Sequence, residues 1–525
     1  MKNNIKLCIL LLVIMVMVVS LVFTGYSREL AKVLIIAEPT EIEGTDVQTT
    51  GRTNSVHQLL YGKLFEATLD CQSYVPTGCE SFEVSDDGLT LTFILPEGAE
   101  FPNGNPVNAE AVKASFERYL RVGMNPSAYD NIKEFKVINE RTLVMELIQP
   151  ANPPFFTILS SVQSGIVDTK AAKEMGDDAF KTKAVTYGPC YVEKWVQGSD
   201  LILIPNPTWR NYSPEFENKG PMQFEKIIAR FIPDTFTMVS ELEQGNVDIL
   251  PTVPLESVES LRENPDIKVY ESMQAGVSLI YMNTNDPILS DIRVRQAITF
   301  GIDRDEIALA LGGFITPSFT YFSPAIASYS PEKEQEIAIK WATNKEKATD
   351  LLKKAGWIDK DGDGIREKDG EKLTLEMLTA MDVSAIKLAA PIIQKQLKEI
   401  GIDLQIRELE HAYVKTNARK GEFQLATRKV DWTDPVHMYT FTTKSEYYAN
   451  EELDKLIDDA TNNVSNLDRR IKAFELVTDA LYEQMPAVSL YYEKRFAASI
   501  AEIEGYRVDL TGTSRFQDTK KYIKE

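Results

Sequence analysis

Apolar positions along this chain recur with two periods, and the period changes again and again. In "SDDGLTLTFILPEG", Leu89, Leu91, Phe93 and Leu95 fall on alternate positions, which predicts a turn followed by a strand with one apolar face. "FPNGNPVN" then reads as a turn cluster. Asn108 stands where it can cap a helix whose stripe is Val112, Phe116, Tyr119 and Leu120. Upstream, "AKVLIIAEPTE" reads as a short strand and "HQLLYGKLFEA" has helical spacing. Further on, "LILIPNP" and "EKIIARFI" precede "TFTMVSELEQGNVDIL", an amphipathic helix stopped by Gly245 and followed by a short apolar strand.

The second half continues the alternation. "SDIRVRQAITFGIDRDEIALALGG" predicts two helices, with Asp303 and Glu306 as a capping box for the second and Gly312-Gly313 as its end. "APIIQKQLKEIGIDLQIREL" predicts a helix, a stop at Gly401 and an alternating strand. "SNLDRRIKAFELVTDALYEQM" predicts a late helix with Phe474, Val477, Leu481 and Met485 facing inward. No repeat and no low-complexity linker interrupts the pattern. The chain is mixed α/β throughout, and lobes built this way must exchange chain more than once.

Size and charge narrow the picture. At 525 residues the chain exceeds one core and divides into two or three lobes. The formal net charge of −21, with no offsetting Lys/Arg block, repels phosphate backbones and argues against nucleic acid as a partner. "MKNNIK" places two lysines before an uncharged apolar run from Leu7 to Gly25, the mark of export through a membrane. The run is long enough for an uncleaved anchor as well as a cleaved signal peptide. Tyr26 stands where a lipid-bearing cysteine would follow Thr24-Gly25, so no lipid anchor is expected. In an exported protein, Cys71 and Cys79 can close a short loop as a disulfide or stay as two buried thiols. Cys190 is left over, and no cysteine spacing suggests zinc.

One acidic stretch raises a specific chemistry. In "DKDGDGIREKDGE", Asp359, Asp361 and Asp363 occupy alternate positions, as in a calcium-binding EF-hand loop. Position 12 of such a loop, however, is Gly370, and the glutamate is displaced to Glu371. The entering segment "NKEKATDLLKKAGW" is helical, but "EKLTLEML" alternates Leu373, Leu375 and Met377 as a strand does. A helix–loop–strand cannot work as a paired-helix switch. The stretch reads as a solvated turn or a structural calcium site.

Catalytic apparatus is missing from the sequence. His57, His411 and His437 form no HExxH or paired-His spacing, and no GxSxG, GxxxxGK or CxxC occurs. His437, near Asp434, reads as a solvated or locally packed turn residue. An enzyme working through carboxylates alone is the one catalytic alternative left.

Several stretches in order resemble the extracytoplasmic solute-binding proteins of peptide and nickel ABC importers, the oligopeptide- and dipeptide-binding group. They include "SFEVSDDGLTLTFILPEGAEFPNGNPVNAEAVKASFERYL", "YGPCYVEKW" with "ILIPNPTW", "EQGNVDIL", "DIRVRQAITFGIDRDEI", "AGWIDKDGDGIREKDGEKLTLEML", "QLKEIGIDLQI" and "VDWTDPVHMYTF". The acidic stretch is itself a frequent turn of this group. The resemblance implies a type II periplasmic-binding-protein-like clamshell with an additional α/β domain. Residues 1–31 would be a signal peptide or membrane anchor; 32–51, 186–278 and 487–525 the first lobe; 52–185 the extra domain; and 279–486 the second lobe. It also implies an extracytoplasmic monomer, no required cofactor, and delivery of a peptide to ABC permease subunits after hinge closure.

In peptide-binding members an aspartate four residues before a proline meets the peptide's α-ammonium; here that is Asp431, in Asp431-Trp432-Thr433-Asp434-Pro435. A carboxylate suits the role because a buried ammonium must be paired. The alternative is a turn residue or surface ion pair. Trp432 takes the family's aromatic position, as pocket wall or core. Backbone groups at Lys429 and Val430 would pair with an extended ligand like an added strand. Arg428 departs from the usual Trp and would favour a carboxylate if it faces the cleft rather than solvent. Rival readings are a same-fold binder of a metal chelate, haem or another small solute, and a receptor for a signalling peptide.

Overall fold

The computed structural model describes residues 30–326, 328–381, 383–430, 447–448, 450–462 and 467–523. Among these, twelve strands form one continuous sheet. In chain order they are β1 (Val33–Glu38), β2 (Cys190–Val196), β3 (Asp200–Pro205), β4 (Lys226–Phe231), β5 (Ile249–Leu250), β6 (Ile267–Met273), β7 (Val277–Met282), β8 (Ile315–Pro317), β9 (Thr374–Ala380), β10 (Asp403–Leu409), β11 (Leu425–Val430) and β12 (Ala487–Ile500). The spatial order is β10-β9-β11-β7-β12-β5-β1-β4-β3-β2, with β6 and β8 also pairing with β12.

The sheet is one ladder but two cores. β7, "VSLIYM", is buried at all six positions, as a strand enclosed on both faces must be. It packs in a large apolar cluster that ends at Tyr492. Two further clusters take up the same strand at Phe496 and Ala497 and join it to β1, β4 and the helix Thr235–Glu243. Within β12, therefore, the first half pairs with β7 and the second half with β6. The chain crosses between the cores a second time beside it, between Met273 and Val277, where the Gln274 N–H donates to Glu493 O at 2.9 Å. Residues Ala487–Tyr492 thus pack with the second lobe, although they were expected in the first.

A third core holds the additional domain. Its four-stranded antiparallel sheet runs Ser81–Val84, Thr90–Ile94, Thr142–Leu147, Ile132–Asn139, covered by the helix Ala109–Val122. Leu91, Phe93, Val112, Phe116 and Tyr119 are buried there as their spacing predicts. Leu120 is not; it sits at the exposed edge of the stripe. Asn108 caps that helix by accepting from the Ala111 N–H at 3.0 Å.

Three local expectations are corrected. The helical spacing of "HQLLYGKLFEA" yields a helix only over Ser55–Leu60, followed by a strand at Phe65–Ala67. The helix before Gly401 starts at Ser384, earlier than its sequence signal, and runs through Pro391 because Ile386, Ala389, Ala390, Ile393 and Leu397 keep one buried face. Asp303 accepts from the Glu306 N–H, but the Glu306 carboxylate turns to Gln396 and Lys395, so the capping box is half made. No helix among the described residues is long and apolar enough to cross a membrane.

Candidate functional site: the interlobe cleft

A cavity of about 270 Å³ lies between the lobes, near the small end of the ~300–1,000 Å³ usual for small-molecule sites. Lys63, Cys71, Asp509 and Arg515 line it from one side; Ala325, Ile326 and Arg470 line it from the other. Hydroxyls and amides, among them Ser161, Gln163, Thr511 and Thr513, supply much of the remaining wall.

The charged side is a closed network. Lys63 follows the short helix and Glu66 lies on the strand Phe65–Ala67, so their side chains meet: Lys63 Nζ is 2.8 Å from Glu66 Oε2. Arg515 arrives from the C-terminal strand Ser514–Arg515, donates through Nη1 to the same Oε2, and through Nη2 to Asp509 Oδ2 at 2.8 Å. Asp509 Oδ1 is used by its own turn, accepting from Thr511 N–H, Thr511 Oγ1 and Thr513 N–H at 3.0, 2.6 and 2.8 Å. Burial pushes the Glu66 carboxyl up, but Arg515 and Lys63 together outweigh it and hold it at about 2. Burial draws Lys63 down from the usual lysine range, against the pull of Glu66. The wall is charge-balanced and its acids are committed.

The predicted strand residues lie at the junction of the lobes. β11 pairs with β7 along its whole length, Val430 opposite Val277 and Lys429 opposite Ser278. With β9 it pairs only through Leu425 and Ala426. From Arg428 to Val430, therefore, the ladder on the β9 side has ended. Lys429 Nζ sits 2.7 Å from Glu493 Oε2, on the part of β12 that passes between the cores. Arg428 points to the opposite face, its guanidinium 6.0 Å from the Tyr281 ring centre and its Nη1 buried with no hydrogen-bond partner among the described residues. It is neither the solvent-facing residue nor a lining residue of the cavity above. Asp431 and Trp432, as well as Asp434 and His437, lie outside the described residues.

The acidic turn is occupied by its own chain. Ligand atoms of Asp359, Asp361 and Asp363 lie within 4.8 Å of one another. Asp359 accepts from the Gly362 and Gly364 N–H groups at 2.8 and 3.1 Å, Asp361 from Asp363 N–H at 3.1 Å, and Asp363 from Ile365 N–H at 2.9 Å. Lys372 Nζ adds an ion pair to Asp363 and lies 3.8 Å from Asp361. The Lys372 contact holds the Asp363 carboxyl below its ordinary range.

Cys71 and Cys79 are both free thiols, and the bridge between them is not formed. Cys79 is buried in the core of the additional domain, its Sγ donating to Leu64 O at 3.0 Å, whereas Cys71 lines the cavity. They serve different surroundings. Burial and then Asp509 push the Cys71 thiol up to about 12. Cys190 is buried against Met222. His57 is buried and held below the usual histidine range by desolvation; its ring nitrogens meet Asn54 and the Gly44 carbonyl, a helix-capping role.

Lys63, Glu66, Asp509, Arg515 and Arg470 were not anticipated from the sequence. Arg515 and Glu66 are 449 residues apart, so no local spacing could have joined them.

The sequence profile of bacterial extracellular solute-binding proteins, family 5 (middle region), matches residues 73–449. This chain belongs to that family. It is the solute-binding component of an ABC importer and not an enzyme. The family 5 chain is 24% identical over 444 residues to the probable D,D-dipeptide-binding periplasmic protein DdpA of Escherichia coli K12, covering 81% of this chain and 80% of that one. It is also 24% identical over 446 residues to the oligopeptide-binding protein AppA of Bacillus subtilis, covering 82% and 80%. The structure of AppA in complex with a nonapeptide matches with a TM-score of 0.68 at 21% identity, over 95% of this chain and all of that one. NikA from Brucella suis, in complex with Fe(III)-EDTA, matches with 0.77 at 21% identity, over 93% and 99%. The type II clamshell implied by the sequence is the fold of this protein.

Proposed function

We propose that this family 5 protein captures a short peptide between its lobes, closes over it by hinge motion and delivers it to the membrane subunits of an ABC importer. The observation that carries the reading is the end of β11: past Ala426 one side of the strand has no ladder partner among the described residues, just before the Asp431 segment. An extended peptide added there gains main-chain hydrogen bonds without side-chain readout, and a carboxylate at Asp431 would pair its ammonium. The likeness to DdpA, a probable D,D-dipeptide-binding protein, and to AppA, an oligopeptide-binding protein, supports the same class. In this reading the protein works outside the cytoplasm as a monomer, exported by residues 1–31 or held by them, and needs no cofactor. The lobes turn about the two crossings at Met273–Val277 and Tyr492–Phe496.

The test is calorimetric titration of the mature protein with di- to pentapeptides, beside nickel–histidine and haem. Micromolar or tighter binding of a peptide class, weakened at least tenfold in Asp431→Ala, is the expected result. Binding of a chelate or haem with no response to any peptide would overturn it.

A further inference from the structure

The last strand of the large sheet has a free side. β2 pairs with β3 and with no other strand among the described residues, so its outer edge keeps main-chain N–H and C=O groups that no ladder takes up. A groove of about 690 Å³ lies along that edge, within the ~300–1,000 Å³ usual for a ligand site. Residues 191–195 line it without a gap. Side chains of a strand alternate between two faces, so consecutive lining residues mean that the groove meets β2 edge-on. Residues 182–185 and the turn at 102–103 form the facing wall. The groove shares no lining residue with the interlobe cavity.

The edge refuses one kind of partner and suits another. The β2–β3 ladder slips at Glu193, a bulge that lets Val192 and Trp195 both pack on the first-lobe core. A bulge and an edge lysine keep a long flat strand, such as the same edge of a second copy, from extending a sheet. The wall at 182–185 narrows the choice further, since a single strand enters a groove that the edge of another sheet does not. Charge then sets the composition of that strand. Lys183 and Lys194 stand exposed on the rim and form no ion pair among the described residues. Glu193, the one acid lining the groove, is unpaired as well. Two lysines against one glutamate leave the groove cationic on a chain whose formal net charge is −21. An acidic segment is repelled by most of this surface and drawn to the groove. Tyr191 and Trp195, of the residue types that anchor interfaces, stand at the two ends of the lining run. The Trp195 indole is fixed in place, its Nε1 donating to Glu41 Oε1 at 2.9 Å.

We infer that the outer edge of β2 is a second docking surface, which takes a short, extended, acidic segment of a partner protein as an added strand. Main chain pairs with main chain, and carboxylates of the segment meet Lys183 and Lys194. The surface is separate from the interlobe cavity, and it stands whether or not the cleft takes peptides.

The experiment titrates wild-type protein with an octapeptide of alternating valine and glutamate, acetylated and amidated at its ends, and with its valine–lysine counterpart. Blocked ends remove the ammonium that the cleft reading requires at Asp431. The expected result is at least tenfold tighter binding of the glutamate peptide, with amide hydrogen exchange slowed over residues 191–196 and unchanged over 425–430. Lys183→Glu combined with Lys194→Glu should reverse the order of the two peptides. A thermal melt confirms that the double variant is folded; the wild-type exchange map needs no variant. No binding of either peptide, equal binding of both, or protection that falls on 425–430 instead of 191–196 overturns the inference. An unreversed order in the folded double variant overturns it too. Protection of 191–196 that grows with protein concentration alone assigns the edge to a second copy of this chain and likewise overturns it. Failure on any of these counts leaves peptide capture in the cleft standing.

Discussion

Lys429 Nζ and Glu493 Oε2, 2.7 Å apart, tie the end of β11 to the stretch of β12 that passes between the two cores. Both side chains are largely buried, so removing one partner leaves the other charge poorly hydrated. Lys429→Met should destabilise the protein by about 1–3 kcal/mol. Adding Glu493→Gln to that variant should recover part of the loss, because the orphaned carboxylate is then gone. Urea unfolding of the two single variants and the double variant measures the coupling. Strictly additive losses would show that the pair contributes nothing at the crossing.

Glu38, at the end of β1, gives the fold a pH dependence near neutrality. Its carboxyl is buried and accepts from the Ser55 N–H at 3.1 Å and from the Ser55 hydroxyl. Burial dominates these bonds and raises it from 4.5 to about 7. A carboxyl raised in the folded state holds its proton there while the unfolded chain has lost it. Its contribution is therefore complete below about pH 4.5 and fades as pH rises through 7. The loss amounts to up to about 3 kcal/mol at the top of that window. Glu38→Gln keeps an acceptor for Ser55 and should flatten the fall in stability between pH 5 and 8. Melting curves across that range decide the point; a variant that falls as steeply as wild type would assign the effect elsewhere.

Much of this architecture is readable from periodicity, because a half-buried strand and an amphipathic helix each leave a repeating trace. Leu91, Phe93, Val112 and Phe116 are where alternation and the helical stripe place them. The misreadings have physical causes. Leu120 sits at the edge of its stripe and Pro391 is tolerated inside a helix held by its buried face, so tertiary packing decided what local rules could not. The candidate site is less legible still. Arg428, Lys429 and Val430 could be singled out only through family resemblance, and the Lys63–Glu66–Arg515–Asp509 wall joins the two ends of the chain. Buried charge is set by partners in space. Lys63 and Glu66 are three residues apart, but nothing near them in sequence marks Arg515 as their shared partner.

The aspartate turn should be indifferent to calcium. Its oxygens already accept backbone N–H groups, and Lys372 supplies the positive charge that a metal would otherwise bring. A site weaker than about 1 mM gains less than about 0.4 kcal/mol from 1 mM calcium, too little to move a melting curve appreciably. Wild-type protein should therefore melt alike in 1 mM calcium and in chelator. Lys372→Gln removes the competing ammonium and should make the melt calcium-sensitive. A large calcium shift in wild type would mean that Lys372 yields its place to the metal.

The cavity wall predicts an ordering of variants. Glu66 is the one carboxylate shared by Lys63 and Arg515, so Glu66→Gln leaves two buried cations with only Asp509 between them. Breaking a buried network in this way costs about 3–5 kcal/mol. Lys63→Met should cost much less, since Arg515 still holds Glu66 and an ammonium that burial disfavours has been removed. Acid unfolding reports on the same group with a known sign. Glu66 is depressed to about 2 from 4.5, so its stabilisation is present above pH 4.5 and drains away as pH falls toward 2. In Glu66→Gln the protein should be weaker at neutral pH but lose less between pH 4.5 and 2.5 than wild type. Urea melts of wild type and both variants at those pH values test the ordering, and equal losses in Lys63→Met and Glu66→Gln would show that Lys63, not Arg515, is the partner that holds the carboxylate in place.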